Sequence, residues 1–297
     1  MPRLTYGAGV QGRPADRSGL RPEGLPAACA LYACYFRATF AQLFHDPSYV
    51  TPGQFLGRAV TVRTFGVRCA LRSHSSDLEY ALKGIDPSVL RWFQPRSGDS
   101  VIDVGAHIGL SSIRAAQAGA RVLAFEPNPG LFEKVRENLR LNSVTGVELR
   151  PAALGPDYGK GRLRVPVIGE VVASRPPKGP PPTGPGLPRA EIEVVVEPLD
   201  GVLRERGDRG SVDWLLVDAE GSEVPVLQGA PRTLSRTANA LLEVVKGASA
   251  EECRHLLARA GLLVVARERA SELTEHWWAR RDTAPVRLPE LIPKFAG

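Results

Sequence analysis

Ser100-Val101-Ile102-Asp103-Val104-Gly105-Ala106-His107-Ile108-Gly109 is the stretch whose reading decides the fold. An apolar run carrying an acidic residue, then glycines, then an amphipathic segment, is the pattern of a buried strand turning tightly into a helix. Glycines are needed there because the backbone must pass close to a ligand. One helix and one strand later, Ala124-Phe125-Glu126-Pro127-Asn128 ends a second strand in a carboxylate. Glu126 follows Gly109 by 17 residues, near the roughly 20-residue spacing that sets an acidic side chain beside ribose hydroxyls in a βαβ unit. The two turns together read as a cradle for an adenosine-type cofactor. A nicotinamide dinucleotide asks for Gly-x-Gly-x-x-Gly so that its pyrophosphate can approach the backbone, whereas here Ala106, His107 and Ile108 separate Gly105 from Gly109. S-adenosylmethionine has no pyrophosphate, and its sulfonium and ammonium suit an acidic strand edge.

Outward from this stretch, strands and helices alternate. Strands are expected over 101–104, 121–126, 147–150, 214–218, 240–245 and 262–266, with helices over 77–93, 110–118, 129–141, 222–234 and 249–260. Such alternation implies an α/β fold with a doubly wound parallel sheet and helices on both faces. Between residues 155 and 198 the pattern breaks into strand candidates at 161–167 and 191–196 around a Pro-rich loop, 176–188, that cannot be regular helix or sheet. The expected organisation is a disordered tail over 1–26 and an extension of one helix and a hairpin over 27–76. A Rossmann-like domain over 77–270 and a C-terminal tail over 271–297 complete it.

Composition narrows the function classes. The net charge of +6 arises from 38 basic and 32 acidic residues spread along the 297-residue chain, and only six of the basic residues are Lys. Without a basic run or interleaved aromatics, a nucleic-acid partner is not expected. Cys29, Cys34, Cys69 and Cys253 show neither paired metal-ligand spacing nor the density of a disulfide scaffold, so a reduced, cytoplasmic setting is expected. The apolar stretch 27–44 is interrupted by Arg37, Thr39 and Gln42. It is read as a helix packed on the domain, with contact at a membrane surface the less favoured alternative.

The chemistry concentrates in Asp218-Ala219-Glu220-Gly221-Ser222-Glu223, at the carboxyl end of a central strand, where ligands bind in open α/β sheets. Glu220 and Glu223, alternatively, cap the following helix. Glu243, inside the apolar run Leu241 to Val245, needs a partner or a function. Asp218, Glu220, Glu243 and His107 are the candidates for catalysis, with His107 also readable as a turn residue that bonds its own backbone. A divalent cation held by Asp218 with Glu220 or Glu243 is conceivable chemistry, but no spaced ligand signature accompanies it and no metal site is predicted.

In order along the chain, Asp103 to Gly109, Phe125 to Asn128, Asn138 to Asn142, Ala152-Ala153-Leu154-Gly155, Leu199 to Leu203, Val217 to Glu223 and Leu227 to Ala230 resemble the FkbM family of S-adenosylmethionine-dependent methyltransferases. The resemblance covers about residues 78 to 266. It implies a class I, mostly parallel seven-stranded sheet and O-methylation of a hydroxyl on a sugar, glycan or natural-product acceptor. Asp103, Gly105, Ala106 and Gly109 would hold the methionine portion of the cofactor and Glu126 its ribose. Pro127, Asn128 and the Ala152-Ala153 turn would border the adenine, and Asp218 is a further cofactor-binding position. Two positions depart from the family pattern: His107 stands where Asn is usual, and Leu216 replaces a Lys often found two residues before the Asp. The alternatives are an RNA methyltransferase and a cofactor-binding module without catalysis.

Overall fold

Val101 to Val104 and Val122 to Phe125 are nearly continuous apolar runs because both strands are covered by helices on their two faces, the condition under which parallel sheets form. In the computed structural model of the chain, the described residues are 5–6, 10–11, 20–41, 55–73, 75, 77–78, 81, 87–166 and 189–282. They fall into two compact units, one of residues 1–84, 134–143 and 162–192, the other of 85–133, 144–161 and 193–297.

The first unit contains helix α1 (Leu25–Ala41) and the expected hairpin, β1 (Val60–Thr64) and β2 (Val67–Leu71). Alternation of buried Val60, Val62, Thr64, Val67, Cys69 and Leu71 with outward residues fixes the hairpin's register. Phe65 and Gly66 make the turn at positive φ. The outer edge of β2 does not stay open. Asn138 Oδ1 accepts the Ala70 N–H at 2.9 Å, and Asn142 both accepts from Arg68 N–H at 2.8 Å and donates to its carbonyl at 2.7 Å. Among the described residues no helix is long and apolar enough to cross a membrane. The tail expected over 1–26 is ordered where it is described near its end: Arg21–Pro22 pair antiparallel with β1, and Leu25 already opens α1, while the Pro-rich loop 176–188 lies outside the described residues.

The second unit is built on the sheet. In chain order come α2 (Pro87–Trp92), β3 (Ser100–Val104), α3 (Leu110–Gln117), β4 (Arg121–Phe125), α4 (Pro129–Leu141, whose later part belongs to the first unit) and β5 (Val147–Arg150). A pair of strands follows, β6 (Gly159–Pro166) and β7 (Arg189–Glu197), then α5 (Leu199–Glu205), β8 (Val212–Val217), α6 (Glu223–Gln228), α7 (Pro231–Ser235) and β9 (Thr237–Val245). Last are α8 (Ala248–Arg259), β10 (Leu262–Arg269) and β11 (Thr274–Arg281). The seven-stranded sheet runs β10-β11-β9-β8-β3-β4-β5, parallel throughout except for β11, which is antiparallel to both neighbours. This is the mostly parallel, doubly wound sheet expected. Strand order reverses between β3 and β8, so the crevice for a ligand lies outside their carboxyl ends.

Two expectations change. The helix expected over 222–234 is two short ones, since Pro231 cannot continue α6 and a Cβ at Gly229 would stand 2.0 Å from the Gly155 carbonyl oxygen. The tail expected from 271 begins with β11, which lies between β9 and β10 in the sheet. Thr274 to Arg281 has polar residues at both ends, which hid the strand. Trp277 and Ala279, both buried in the core, hold it there.

Candidate functional site

The carboxyl edge is set by register. Phe125 pairs with Val104, Val104 with Val217 and Val217 with Leu242. Glu126, Gly105, Asp218 and Glu243 therefore stand one residue past that row on four adjacent strands, and Glu243 pairs in turn with His276 on β11. Four of the residues singled out in the sequence thus share one line along the sheet edge.

At its β3–β4 end the line is made of backbone. The N–H groups of Gly105 and Ala106 both donate to the Phe125 carbonyl at 3.0 Å, and Asp218 N–H donates to the Val104 carbonyl at 2.9 Å. Gly105 has φ +85°, and a Cβ on it would stand 2.0 Å from the Asp218 carbonyl oxygen. Only glycine fits between the two strand ends. His107 follows at φ +55°, a left-handed conformation that Asn, Asp and His tolerate better than other side chains. This explains a His where Asn is usual. Gly109, at φ +86°, then opens α3, with its N–H on the Ala106 carbonyl at 2.8 Å.

Glu126 is buried, and each of its oxygens is held by a backbone donor: Oε2 by the N–H of His107 at 2.8 Å and Oε1 by that of Asn128 at 2.9 Å. Burial pushes its carboxyl up to about 7, the two N–H groups pull it down, and the nearby charge of Asp103 pushes it up again. A carboxylate oxygen has more than one acceptor site, so a braced Glu126 can still take hydroxyl donors. Asn128 Oδ1 accepts from Gly130 N–H at 3.0 Å, fixing the start of α4 beyond the part-buried Pro127. Ala106 is buried in the turn, Ala152 is absorbed in the hydrophobic core, and part-exposed Ala153 pairs with Val196 of β7.

Asp103 is buried two residues inside that line, where Ser112 Oγ of α3 donates to its Oδ2 at 2.5 Å. Desolvation lifts its carboxyl to about 6, with the Ser112 hydrogen bonds opposing. Its neighbour in register on β8 is Leu216, the position where the family pattern has Lys. A leucine there leaves serine, not an ammonium, to receive the charge.

The Asp218 to Glu223 cluster separates in three dimensions. Asp218 and Glu220 are exposed, and Glu220 sits at φ +50°. Glu223 turns inward, is buried, and accepts the Gly221 N–H at 2.8 Å on Oε1, bracing the β8–α6 turn, while its buried Oε2 has no hydrogen-bond partner among the described residues. Desolvation raises its carboxyl above the usual range. Among the described residues no three His, Cys, Asp or Glu side chains gather in a group that could hold a metal ion.

At the β9–β11 end the line is made of side chains. Glu243 accepts the Thr274 hydroxyl at 2.8 Å on Oε1, and its Oε2 lies 3.3 Å from His276 Nε2. His276 Nδ1 is 3.0 Å from Ser88 Oγ on α2. Sequence reasoning found Glu243 but missed Thr274, His276 and Ser88. The signal available was the aromatic run Trp277-Trp278, which marks residues 274–281 as strand.

Residues 103–271 match the family model described as the methyltransferase FkbM domain. Methyltransferase 1 of Beauveria bassiana is 28% identical over 142 residues, 43% of this chain and 57% of that protein. Methyltransferase sdnD of Sordaria araneosa is 30% identical over 159 residues, 45% and 61% respectively. The chain thus spans about three-fifths of the length of these relatives. Among solved structures, the precorrin-6y C5,15-methyltransferase of Geobacter metallireducens aligns with 63% of this chain and 81% of its own at 15% identity, with a TM-score of 0.38.

Proposed function

The chain belongs to the FkbM methyltransferase family, and from that premise we propose that it methylates a hydroxyl of a small-molecule or glycan acceptor with S-adenosylmethionine as donor. The observation that carries this reading is the line Glu126–Gly105–Asp218–Glu243, an edge with three carboxylates at the point where strand order reverses. The residues present fit the cofactor. A cradle that any Cβ would close stays open at Gly105, and Glu126 offers a braced carboxylate to ribose hydroxyls. The neighbouring acidic positions suit a cationic ligand that lacks a pyrophosphate.

In this reading Glu126 holds the ribose, while Gly105, Ala106 and Gly109 present backbone to the methionine portion, with Asp103 behind them. Pro127, Asn128 and Ala153 border the adenine, and Asp218 stands at the methyl end. When bound, S-adenosylmethionine supplies an electrophilic methyl group, the S–C bonding pair staying on sulfur as the acceptor oxygen takes the methyl. The acceptor must lose a proton, and Glu243 is placed to take it: level with Asp218, a fifth exposed, and held through both oxygens. A positioned base of this kind contributes about 10²- to 10⁴-fold, and alignment of acceptor and methyl contributes up to about 7 to 11 kcal/mol in favourable cases.

Incubation of the full chain with methyl-labelled S-adenosylmethionine and fractionated cell glycans, small molecules, lipids and RNA tests the proposal. Label in alkali-stable ethers of the glycan or small-molecule fraction is the expected result. Label confined to RNase-sensitive material overturns it.

A further inference from the structure

Ser88, His276 and Glu243 form a chain of hydrogen-bonding groups joining α2, β11 and β9, with contacts of 3.0 Å and 3.3 Å. Its residue types are those of a nucleophilic triad, but its direction is reversed. Ser88 has no exposed surface and His276 is 6% exposed, whereas the Glu243 side chain is 21% exposed. The end that can meet a substrate is the carboxylate, so the chain runs outward from the serine, and Ser88 is no nucleophile.

The tautomer follows from the partners. A carboxylate only accepts hydrogen bonds, so the Nε2 facing Glu243 carries the hydrogen, and Nδ1 accepts the Ser88 hydroxyl. Thr274, two residues before His276 on the same strand face, donates to the other oxygen of Glu243. Register also places Glu268 of β10 opposite His276 on its far side, and Arg91 of α2 takes both oxygens of Glu268 at 2.6 Å. The row Glu243–His276–Glu268 is thus tied to one helix at Ser88 and Arg91, one turn apart. Trp92 adds a stack on Trp278 at 6.3 Å.

We propose that His276, its tautomer set by the Glu243 carboxylate and its ring held by Ser88, is a positioning residue that aims that carboxylate at the acceptor hydroxyl. This rests on the reading of Glu243 as base given above. The proton removed from the acceptor goes to Glu243 and then to water. His276 keeps its Nε2–H on the carboxylate throughout, and the Ser88 hydroxyl can either donate to Nδ1 or accept from it, so no hydrogen bond is lost at any stage.

Two readouts test the proposal and separate its failure from that of the base reading. The first needs no acceptor: nitrogen-15 spectra of histidine-labelled full chain, with S-adenosylhomocysteine added and the ring signal assigned by loss in His276→Gln. The expected spectrum shows the Nε2–H tautomer in wild type, and in Ser88→Ala the same tautomer with the Nδ1 signal moved by loss of its hydrogen bond. An Nδ1–H tautomer in wild type, or an unchanged spectrum in Ser88→Ala, overturns the proposal. The second is the rate of labelled methyl transfer to total glycan and small-molecule extract. His276→Ala should lower it by about 10²-fold with S-adenosylhomocysteine affinity within threefold, and His276→Gln, which restores a donor to Glu243, should recover at least tenfold of that loss. If Glu243→Gln abolishes transfer while the His276 variants leave it unchanged, the positioning role is wrong and the base reading stands. If Glu243→Gln leaves transfer intact, the base reading itself falls.

Discussion

The two ends of the carboxyl edge are built from different materials. Around β3 and β4 the edge is backbone: two N–H groups on the Phe125 carbonyl, two more on the oxygens of Glu126, and a glycine that fits because nothing larger can. Around β9 and β11 it is a relay of side chains from Thr274, His276 and Ser88 onto Glu243. Backbone cradles are intolerant of any added atom but indifferent to many side chains, and side-chain relays are the reverse. In the proposed reading the first end serves the cofactor and the second the acceptor.

The largest effect should come from adding one carbon to the backbone end. Gly105→Ala places a Cβ against a strand carbonyl that cannot swing aside, at a φ that alanine avoids. We expect a loss of about 3 kcal/mol or more in urea unfolding and no measurable S-adenosylhomocysteine binding. Wild-type stability in this variant would mean the strand ends are not so closely apposed.

At the side-chain end, Glu243→Gln should leave binding of S-adenosylhomocysteine within threefold while transfer falls about 10²- to 10⁴-fold. A parallel loss of binding would erase the division between the two ends.

Glu126→Gln is expected to weaken S-adenosylhomocysteine binding by about 10- to 100-fold, the loss of a hydrogen bond to a charged group. It should also change the pH dependence. The wild-type carboxyl is lifted to about 7, and hydroxyl donors favour its ionised form, so wild-type affinity should fall as pH drops below about 7 and binding should release protons. The same shift means that ionising Glu126 costs stability: its contribution is full below the ordinary value of 4.5 and is lost as pH rises through about 7. Titrations at several pH values in buffers of different ionisation enthalpy read both effects, and both should vanish in the Gln variant.

The smallest effect belongs to His107→Asn. Asn tolerates the left-handed backbone as well as His does, so stability should move by less than about 0.5 kcal/mol and transfer should persist. Abolished transfer would make His107 a catalytic group and not a turn residue.

The same contrast decided what could be read from the chain alone. Asp103 to Gly109 and Glu126 were legible because a strand-to-helix turn leaves its glycines and acids at fixed local spacings. Glu243 was noticed as a charge in an apolar run, but its partners were not. Thr274 and His276 reach it only because β11 inserts between β9 and β10, a pairing across some 30 residues that leaves no periodic trace, and Ser88 comes from a helix 188 residues before His276. Glu223 read as part of an acidic ligand-binding edge or as a helix cap, yet its side chain turns inward, and burial of a carboxylate has no signature in spacing.

Calorimetric titration of the full chain with S-adenosylhomocysteine and, separately, with NAD tests the central claim most directly. The account predicts one molecule of S-adenosylhomocysteine bound per chain, weakened by Glu126→Gln and unaffected by Glu243→Gln, with no heat from NAD. Binding of NAD alone would contradict it.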